Sequence, residues 1–180
     1  MTRFAMVIDT KACIGCSDCV VACKTENSVP EGLCWDWVVE ATHGTYPALA
    51  TEFRSERCNQ CSNATCVSAC PTGASHYWND SNIVVVDPGK CTGCKACIAA
   101  CPYDARLVMH PDGYVGKCTF CVHRVQDGKD PACVAVCPTH AMHFGVLDDP
   151  ESAVSKLLAI RDHYTLKPET GNEPNVYYLR

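Results

Sequence analysis

Apolar residues cluster in short runs separated by turn formers. Phe4 to Ile8 is a continuous apolar run suited to a strand. Trp35 to Thr42 and Leu49 to Arg54 are strand-like, with Pro30, Gly32, Gly44 and Pro47 as breakers around them. Gly73 to Trp78 and Ile83 to Val86, parted by Asn79-Asp80-Ser81-Asn82, read as a hairpin, and so do Arg106 to Met109 and Tyr114 to Val115 around Pro111-Asp112-Gly113. From Asp149, read as an N-cap with Pro150 at the first helical position, Val154, Leu157, Leu158 and Tyr164 form one face of a short amphipathic helix. The tail from Lys167 to Arg180 is interrupted by Pro and Gly and ends in Tyr177-Tyr178-Leu179. With few apolar residues to hold it at home, it is expected to lie on a partner.

Between these elements lie four cysteine runs. The third, Cys91-Thr-Gly-Cys94-Lys-Ala-Cys97-Ile-Ala-Ala-Cys101-Pro102, has the spacing of a bacterial ferredoxin ligand run. In such a run three thiolates hold one inorganic cluster while the fourth, followed by proline, ligates a neighbouring one. The first run (Cys13, Cys16, Cys19, Cys23) has that spacing with Lys24 in place of the proline. The second (Cys58, Cys61, Cys66, Cys70, then Pro71) has a longer middle gap, and the fourth (Cys118, Cys121, Cys133, Cys137, then Pro138) contains an insert. In all four the third and fourth cysteines are four residues apart, so on a helical turn they share one face, with roughly 6 Å of rise between them. Four shared turns predict four clusters, and the repeating unit is ligand run, strand, turn, strand, ligand run.

Composition agrees. The 180 residues include 17 cysteines, and these are counted in the 47% hydrophobic figure, so the aliphatic and aromatic core is smaller than that figure suggests. Bound metal is expected to supply the missing stabilisation, and the metal-free chain to fold poorly. A net charge of -5 suits no phosphate backbone, and no run of eighteen apolar residues is present to span a bilayer. Nucleic acid is therefore not an expected partner, and the chain is not expected to cross a membrane. The start of the chain has too short an apolar stretch for a secretory signal and no twin arginine, so no export address of its own is expected.

Rival chemistries fit less well. Disulfides would demand an oxidising compartment, whereas crowded Cys-x-x-Cys runs without a signal favour metal-bound thiolates. Zinc ribbons use two well-separated pairs, but here three thiolates crowd onto one loop with a fourth a turn further on. Cys121-Val-His123 and Cys137-Pro-Thr-His140 imitate a Rieske centre, a reading that strands Cys118 and Cys133. His123 and His140 are accordingly read as lying beside a site or at the surface. The other histidines, His43, His76, His110, His143 and His163, show no ligand spacing. Cys34, outside every run, is read as a packing residue, and Trp35, Trp37 and Trp78 as core or interface anchors. No phosphate-cradling glycine loop and no Gly-x-Ser-x-Gly is present, so no catalytic residue is assigned.

Over nearly its whole length the chain resembles the iron-sulfur subunits of the dimethyl sulfoxide reductase superfamily, above all the polysulfide or thiosulfate reductase type. The resemblance rests on Cys-Pro-Thr-Gly-Ala after the second run, Cys-Pro-Tyr-Asp-Ala-Arg after the third and Lys-Cys-Thr-Phe-Cys-x-His-Arg opening the fourth. Lys24-Thr-Glu-Asn27, Gly44-Thr-Tyr-Pro47, Asp148 to Ser152 and Lys167-Pro-Glu-x-Gly agree with it.

The resemblance implies an α+β fold of two nested bacterial-ferredoxin-like modules, each with two 4Fe-4S clusters, short hairpins and helices. The outer module takes 1–30 with 112–147 and the inner module 58–111; 31–57 is a connecting excursion, and 148–180 a C-terminal helix and partner-docking tail. The implied ligand sets are Cys13, Cys16, Cys19 and Cys137, then Cys23, Cys118, Cys121 and Cys133. The inner sets are Cys58, Cys61, Cys66 and Cys101, then Cys70, Cys91, Cys94 and Cys97. In the nitrate reductase branch a tryptophan at the Cys94 position leaves a three-iron cluster, so Cys94 implies that all four sites hold 4Fe-4S. The implied role is a non-catalytic relay in anaerobic respiration, within a hetero-oligomer peripheral to either face of the cytoplasmic membrane. It would join a molybdenum or tungsten bis-pterin catalytic subunit to a membrane quinone-binding subunit. The alternatives are a subunit of a soluble cytoplasmic oxidoreductase, such as a tungsten aldehyde oxidoreductase, and a zinc-bound interaction module.

Overall fold

The computed structural model describes residues 1–180. The N-terminal apolar run forms β1 (Phe4–Asp9), which the chain reuses as an inner strand of its largest sheet. After it come α1 (Asp18–Glu26), the hairpin β2 (Asp36–Thr45) and β3 (Ala48–Arg57), and α2 (Thr65–Ser68). Two small hairpins follow, β4 (Ser75–Tyr77) with β5 (Val84–Val86), and, beyond α3 (Ala96–Ala99), β6 (Leu107–Val108) with β7 (Val115–Gly116). The remainder is α4 (Val122–Gln126), α5 (Ala132–Ala135), β8 (Met142–Val146), α6 (Ala153–Ile160), β9 (His163–Tyr164) and β10 (Val176–Leu179). Helices and four small sheets are mixed in one α+β fold.

The four-stranded sheet runs β8-β1-β10-β9, with β1 antiparallel to β8 and parallel to β10. Residues alternate across a strand, and here both faces are covered. Ala5 and Val7 pack with Leu179 against Val154 of α6, while Met6 and Ile8 face the cysteine-rich core together with Val176 and Tyr178. Burial on both sides explains why β1 is a continuous apolar run instead of an alternating one.

This sheet corrects the expectation for the tail. Lys167 to Arg180 does not lie free for a partner: Val176, Tyr178 and Leu179 are fully buried, and β10 is an inner strand. The loop before it is tied to the second cysteine run, with Asn175 N donating to Asn59 O at 2.9 Å, Ser62 N to Glu173 O at 2.9 Å and Asn175 Nδ2 to Gln60 O at 2.7 Å. Few apolar residues suffice because each takes a place in a ladder whose polar groups are already paired.

The C-terminal helix also starts later than its pattern predicts. Asp149 caps only a local turn, its Oδ1 accepting from Glu151 N at 2.9 Å, and the N-cap of α6 is Ser152. Tyr164 lies in β9, beyond the helix, where it pairs with Tyr178.

Prolines decide the helices that carry the cysteines. Cys66, Cys97 and Cys133 sit in α2, α3 and α5, each four residues long and each ended before the Cys-Pro step, because proline disfavours helical backbone in the residue before it. The first run has Lys24 there, and α1 continues through Cys23 to Glu26, nine residues in all. Lys24 Nζ then pins the following loop by donating to Pro30 O at 2.9 Å and Leu33 O at 2.6 Å.

Candidate metal centres

Each run begins as a loop whose residue before the second cysteine is left-handed: Gly15 (φ 71°), Gln60 (φ 45°), Gly93 (φ 68°) and Phe120 (φ 52°). That conformation turns the backbone sharply between the first two thiols, and the short helix then supplies the third. At Gly15 a side chain would also meet the Phe53 ring at 2.6 Å, so the loop lies directly against β3.

The cysteines come together across runs, not only within them. Cys13, Cys16 and Cys19 line one cavity with Cys137, beside Ser55, Pro138 and Met142. Cys91, Cys94 and Cys97 line another with Cys70. Burial raises the Cys61 thiol, and Cys58, Cys66 and Cys101 lie near enough to raise it further. Cys118 feels Cys23 and Cys133, Cys133 feels Cys121, and Asn27 Nδ2 stands 3.7 Å from the sulfurs of both Cys23 and Cys121. Across the boundary between the last two groups, Cys118 also feels Cys58. No three His, Cys, Asp or Glu side chains converge closely enough to hold a single metal ion, and the first two groups line cavities.

Residues 49–147 match a family described as a 4Fe-4S dicluster domain. The chain is 42% identical over 99% of its length to a putative dimethyl sulfoxide reductase iron-sulfur protein of Halobacterium salinarum, covering 79% of that relative. It is 34% identical, over 99% of its length and 96% of the relative, to the arsenate respiratory reductase iron-sulfur subunit ArrB of a Shewanella species. Against a tetrathionate reductase subunit of Salmonella typhimurium the identity is 41%, over 98% of this chain and 72% of the other. The chain belongs to the iron-sulfur subunits of the dimethyl sulfoxide reductase superfamily. It is an electron-transfer subunit of an oxidoreductase complex, not a catalytic one, and binds 4Fe-4S clusters.

The iron-sulfur subunit surrounds its thiols with buried cations. Burial pushes the thiols of Cys19, Cys23 and Cys61 up to about 12 and that of Cys133 to about 11, although the Arg57 charge acts to lower those of Cys19, Cys23 and Cys133, so as free thiols they stay protonated. Ligation needs thiolates, and three cations that are almost wholly buried offer compensation. Arg57 Nη1 donates to Cys133 Sγ at 2.9 Å, and Arg106 Nη2 to Cys66 Sγ at 2.8 Å. Lys117 Nζ donates to Cys118 O at 2.9 Å and to Val84 O. Buried charges are retained only when paired, and only Arg57 has a carboxylate, Asp36, at 3.1 Å. Arg106 leaves Nε and Nη1 without a protein partner. The excess positive charge and the all-thiol donor sets fit anionic iron-sulfur clusters.

These cations were not singled out in the sequence, although each lies near a ligand run: Arg57 and Lys117 directly precede Cys58 and Cys118, and Arg106 closes Cys-Pro-Tyr-Asp-Ala-Arg. Asp36 carried no such signal, because only the pairing of β2 with β3 brings it opposite Arg57. His123 Nε2 is taken by Glu26 Oε1 at 2.8 Å and His140 is exposed, in keeping with residues beside a site or at the surface. Cys34 corrects another expectation, since it is exposed instead of packed. Trp35, Trp37 and Trp78 are part-buried against the core.

Proposed function

We propose that the chain holds four 4Fe-4S clusters in a line and relays electrons between a molybdenum or tungsten bis-pterin catalytic subunit and a membrane quinone-reactive subunit. The ligand sets are Cys13, Cys16, Cys19 and Cys137; Cys23, Cys118, Cys121 and Cys133; Cys58, Cys61, Cys66 and Cys101; and Cys70, Cys91, Cys94 and Cys97. The first two sets belong to an outer module of 1–30 with 112–147, and the last two to an inner module of 58–111.

The observation that carries this reading is that each thiol group adjoins the next. Cys19 and Cys23 lie one turn apart on α1, and Cys133 and Cys137 are joined by the backbone turn Cys137 N to Val134 O at 3.2 Å, so two segments bind the first set to the second. Cys66 with Cys70, and Cys97 with Cys101, join the third set to the fourth in the same way. Between the modules, Gln60, flanked by Cys58 and Cys61, donates through Nε2 to Cys118 O at 2.7 Å while its Oε1 accepts from Val84 N at 2.7 Å. Each cluster, when bound, would take up and release one electron at a potential tuned by charge, hydrogen bonds and exposure. The chain fixes the spacing, excludes water from the thiols of Cys23, Cys118, Cys121 and Cys133, and supplies the cations.

No helix of the chain is long and apolar enough to cross a membrane, which supports a subunit that reaches quinone through a partner and sits peripherally. The protein purified without oxygen is expected to hold about sixteen iron and sixteen sulfide per chain and to co-purify with a pterin-containing subunit and a membrane subunit. Stoichiometric zinc without labile sulfide would end the cluster reading. Isolation of a complete complex without a quinone-binding subunit would end the quinone assignment.

A further inference from the structure

The internal repeat extends to a pair of buried arginines, and one acid makes them unequal. Arg57 donates to the sulfur of Cys133 at 2.9 Å and to the hydroxyl of Ser55. Arg106 donates to the sulfur of Cys66 at 2.8 Å and to the hydroxyl of Ser75 at 2.8 Å. Cys133 and Cys66 are equivalent, each the third cysteine of its run, so each arginine holds one ligand thiol and one hairpin serine, Ser55 on the strand of Arg57 itself and Ser75 on β4, remote in sequence from Arg106. The difference is Asp36, which lies 3.1 Å from Arg57 and also accepts from Ser55 Oγ at 2.7 Å, with both charged side chains essentially inaccessible. No carboxylate pairs with Arg106, which is 2% exposed and also faces Cys97.

We propose that Arg57 and Arg106 are matched positioning residues for two equivalent clusters and that Asp36 sets those clusters apart in reduction potential. The inference rests on the ligand sets given above. Reduction adds a negative charge to a cluster, and a nearby unpaired cation favours that state more than a neutralised ion pair does. The Cys58, Cys61, Cys66 and Cys101 site therefore takes an electron more readily than the Cys23, Cys118, Cys121 and Cys133 site. Exposure acts in the same direction: Cys23, Cys118, Cys121 and Cys133 are all buried, whereas Cys66 and Cys101 are only part-buried, and a less hydrated site resists added charge. Lys117 lies between the two sites, bonded to Cys118 O and acting on Cys66, and contributes to both.

The test is a redox titration of the intact complex followed by electron paramagnetic resonance, comparing the unaltered protein with Asp36→Asn and Arg106→Gln. Asp36→Asn keeps the shape and removes the acid; it is expected to move one cluster towards easier reduction by about tenfold in equilibrium constant, ~59 mV for one electron. Arg106→Gln is expected to move a different cluster by a similar factor towards harder reduction. In the unaltered protein the cluster that responds to Arg106→Gln is expected to be the more easily reduced of the two. Unmoved potentials, a shift of the opposite sign in Asp36→Asn, or the reverse order in the unaltered protein would overturn the inference. So would loss of iron from both variants, which would make these residues structural supports only. Iron and sulfide content of the unaltered protein tests the ligand sets separately, so failure of that reading is distinguishable from failure of this one.

Discussion

Tyr178 pairs with Ile8 in a parallel ladder, and neither side chain is exposed to solvent. The pairing sets the C-terminal strand against the core of the cysteine sites, since Tyr178 packs beneath the hairpin base, its hydroxyl donating to Ser55 O at 3.3 Å. It makes the last strand part of the scaffold that holds β3 and thereby Arg57.

Removing Lys167 to Arg180 is therefore expected to cost bound iron as well as assembly. The milder Tyr178→Ala deletes a fully buried aromatic ring and is expected to destabilise the protein by about 3–5 kcal/mol, as other large-to-small aromatic core changes do. Denaturation midpoints of the iron-loaded protein under nitrogen check the size. A truncated chain with its full iron content would show that β10 is dispensable.

The first ligand loop gives a separable test of packing and strain. Gly15→Ala forces a side chain into a left-handed position, which costs about 1–2 kcal/mol, and also drives its Cβ to 2.6 Å from the Phe53 ring. Gly32→Ala has a similar φ of +77° with nothing within 4 Å, so it reports strain alone. Gly15→Ala is expected to lower stability more than Gly32→Ala, and adding Phe53→Ala to Gly15→Ala to recover part of the difference, in thermal melts followed by cluster absorbance. Equal effects of the two glycine changes would mean that Phe53 yields without cost.

The cysteine runs stand out in the sequence because their spacing is local: three cysteines on one loop and a fourth a turn on can be read from a dozen residues. The shared helical turn holds in full only for Cys19 and Cys23, where Lys24 in place of proline lets α1 run on to Glu26; in the other runs the helix ends before the fourth cysteine. The tail was misread because its apolar content is low, and apolar content says nothing of a strand whose partners lie far away at Met6 to Asp9. Arg57 and Asp36 were missed for a related reason. Their pairing depends on the register of a hairpin with ten residues in each strand, and a slip of one residue would send both side chains to the other face.

That hairpin divides into a buried base and an exposed end. Asp36, Ser55 and Arg57 are buried, while residues 42–50 are exposed throughout. Replacing 43–50 with a two-residue turn is expected to leave iron content and melting temperature unchanged, since exposed surface substitutions usually stay within about 0.5 kcal/mol. Ser55→Ala, at the base, removes the hydroxyl that links Arg57 and Asp36 and is expected to lower stability by about 1–3 kcal/mol through the unsatisfied partners it leaves. Iron analysis with melts of both variants checks this; iron loss in the shortened hairpin would place a structural role at its tip.

The linear order proposed for the sites would make the two ends of the relay separable. Cys94 and Cys16 are both exposed, one in the fourth set and one in the first, so each can be changed with little disturbance of the buried core. Cys94→Ala removes a ligand from the site proposed to lie farthest from the catalytic subunit, and is expected to leave a three-iron cluster or none there while the Cys13 site persists. Substrate turnover driven by a small dye that donates near the catalytic subunit is then expected to continue, and turnover coupled to quinone to fall sharply. Cys16→Ala strikes the first site and is expected to depress both assays. The comparison needs assembled complexes with measured iron, because a lost subunit would mimic a broken relay. Equal loss of dye-linked and quinone-linked turnover in a fully assembled Cys94→Ala complex would reverse or abolish the order proposed for the four sites.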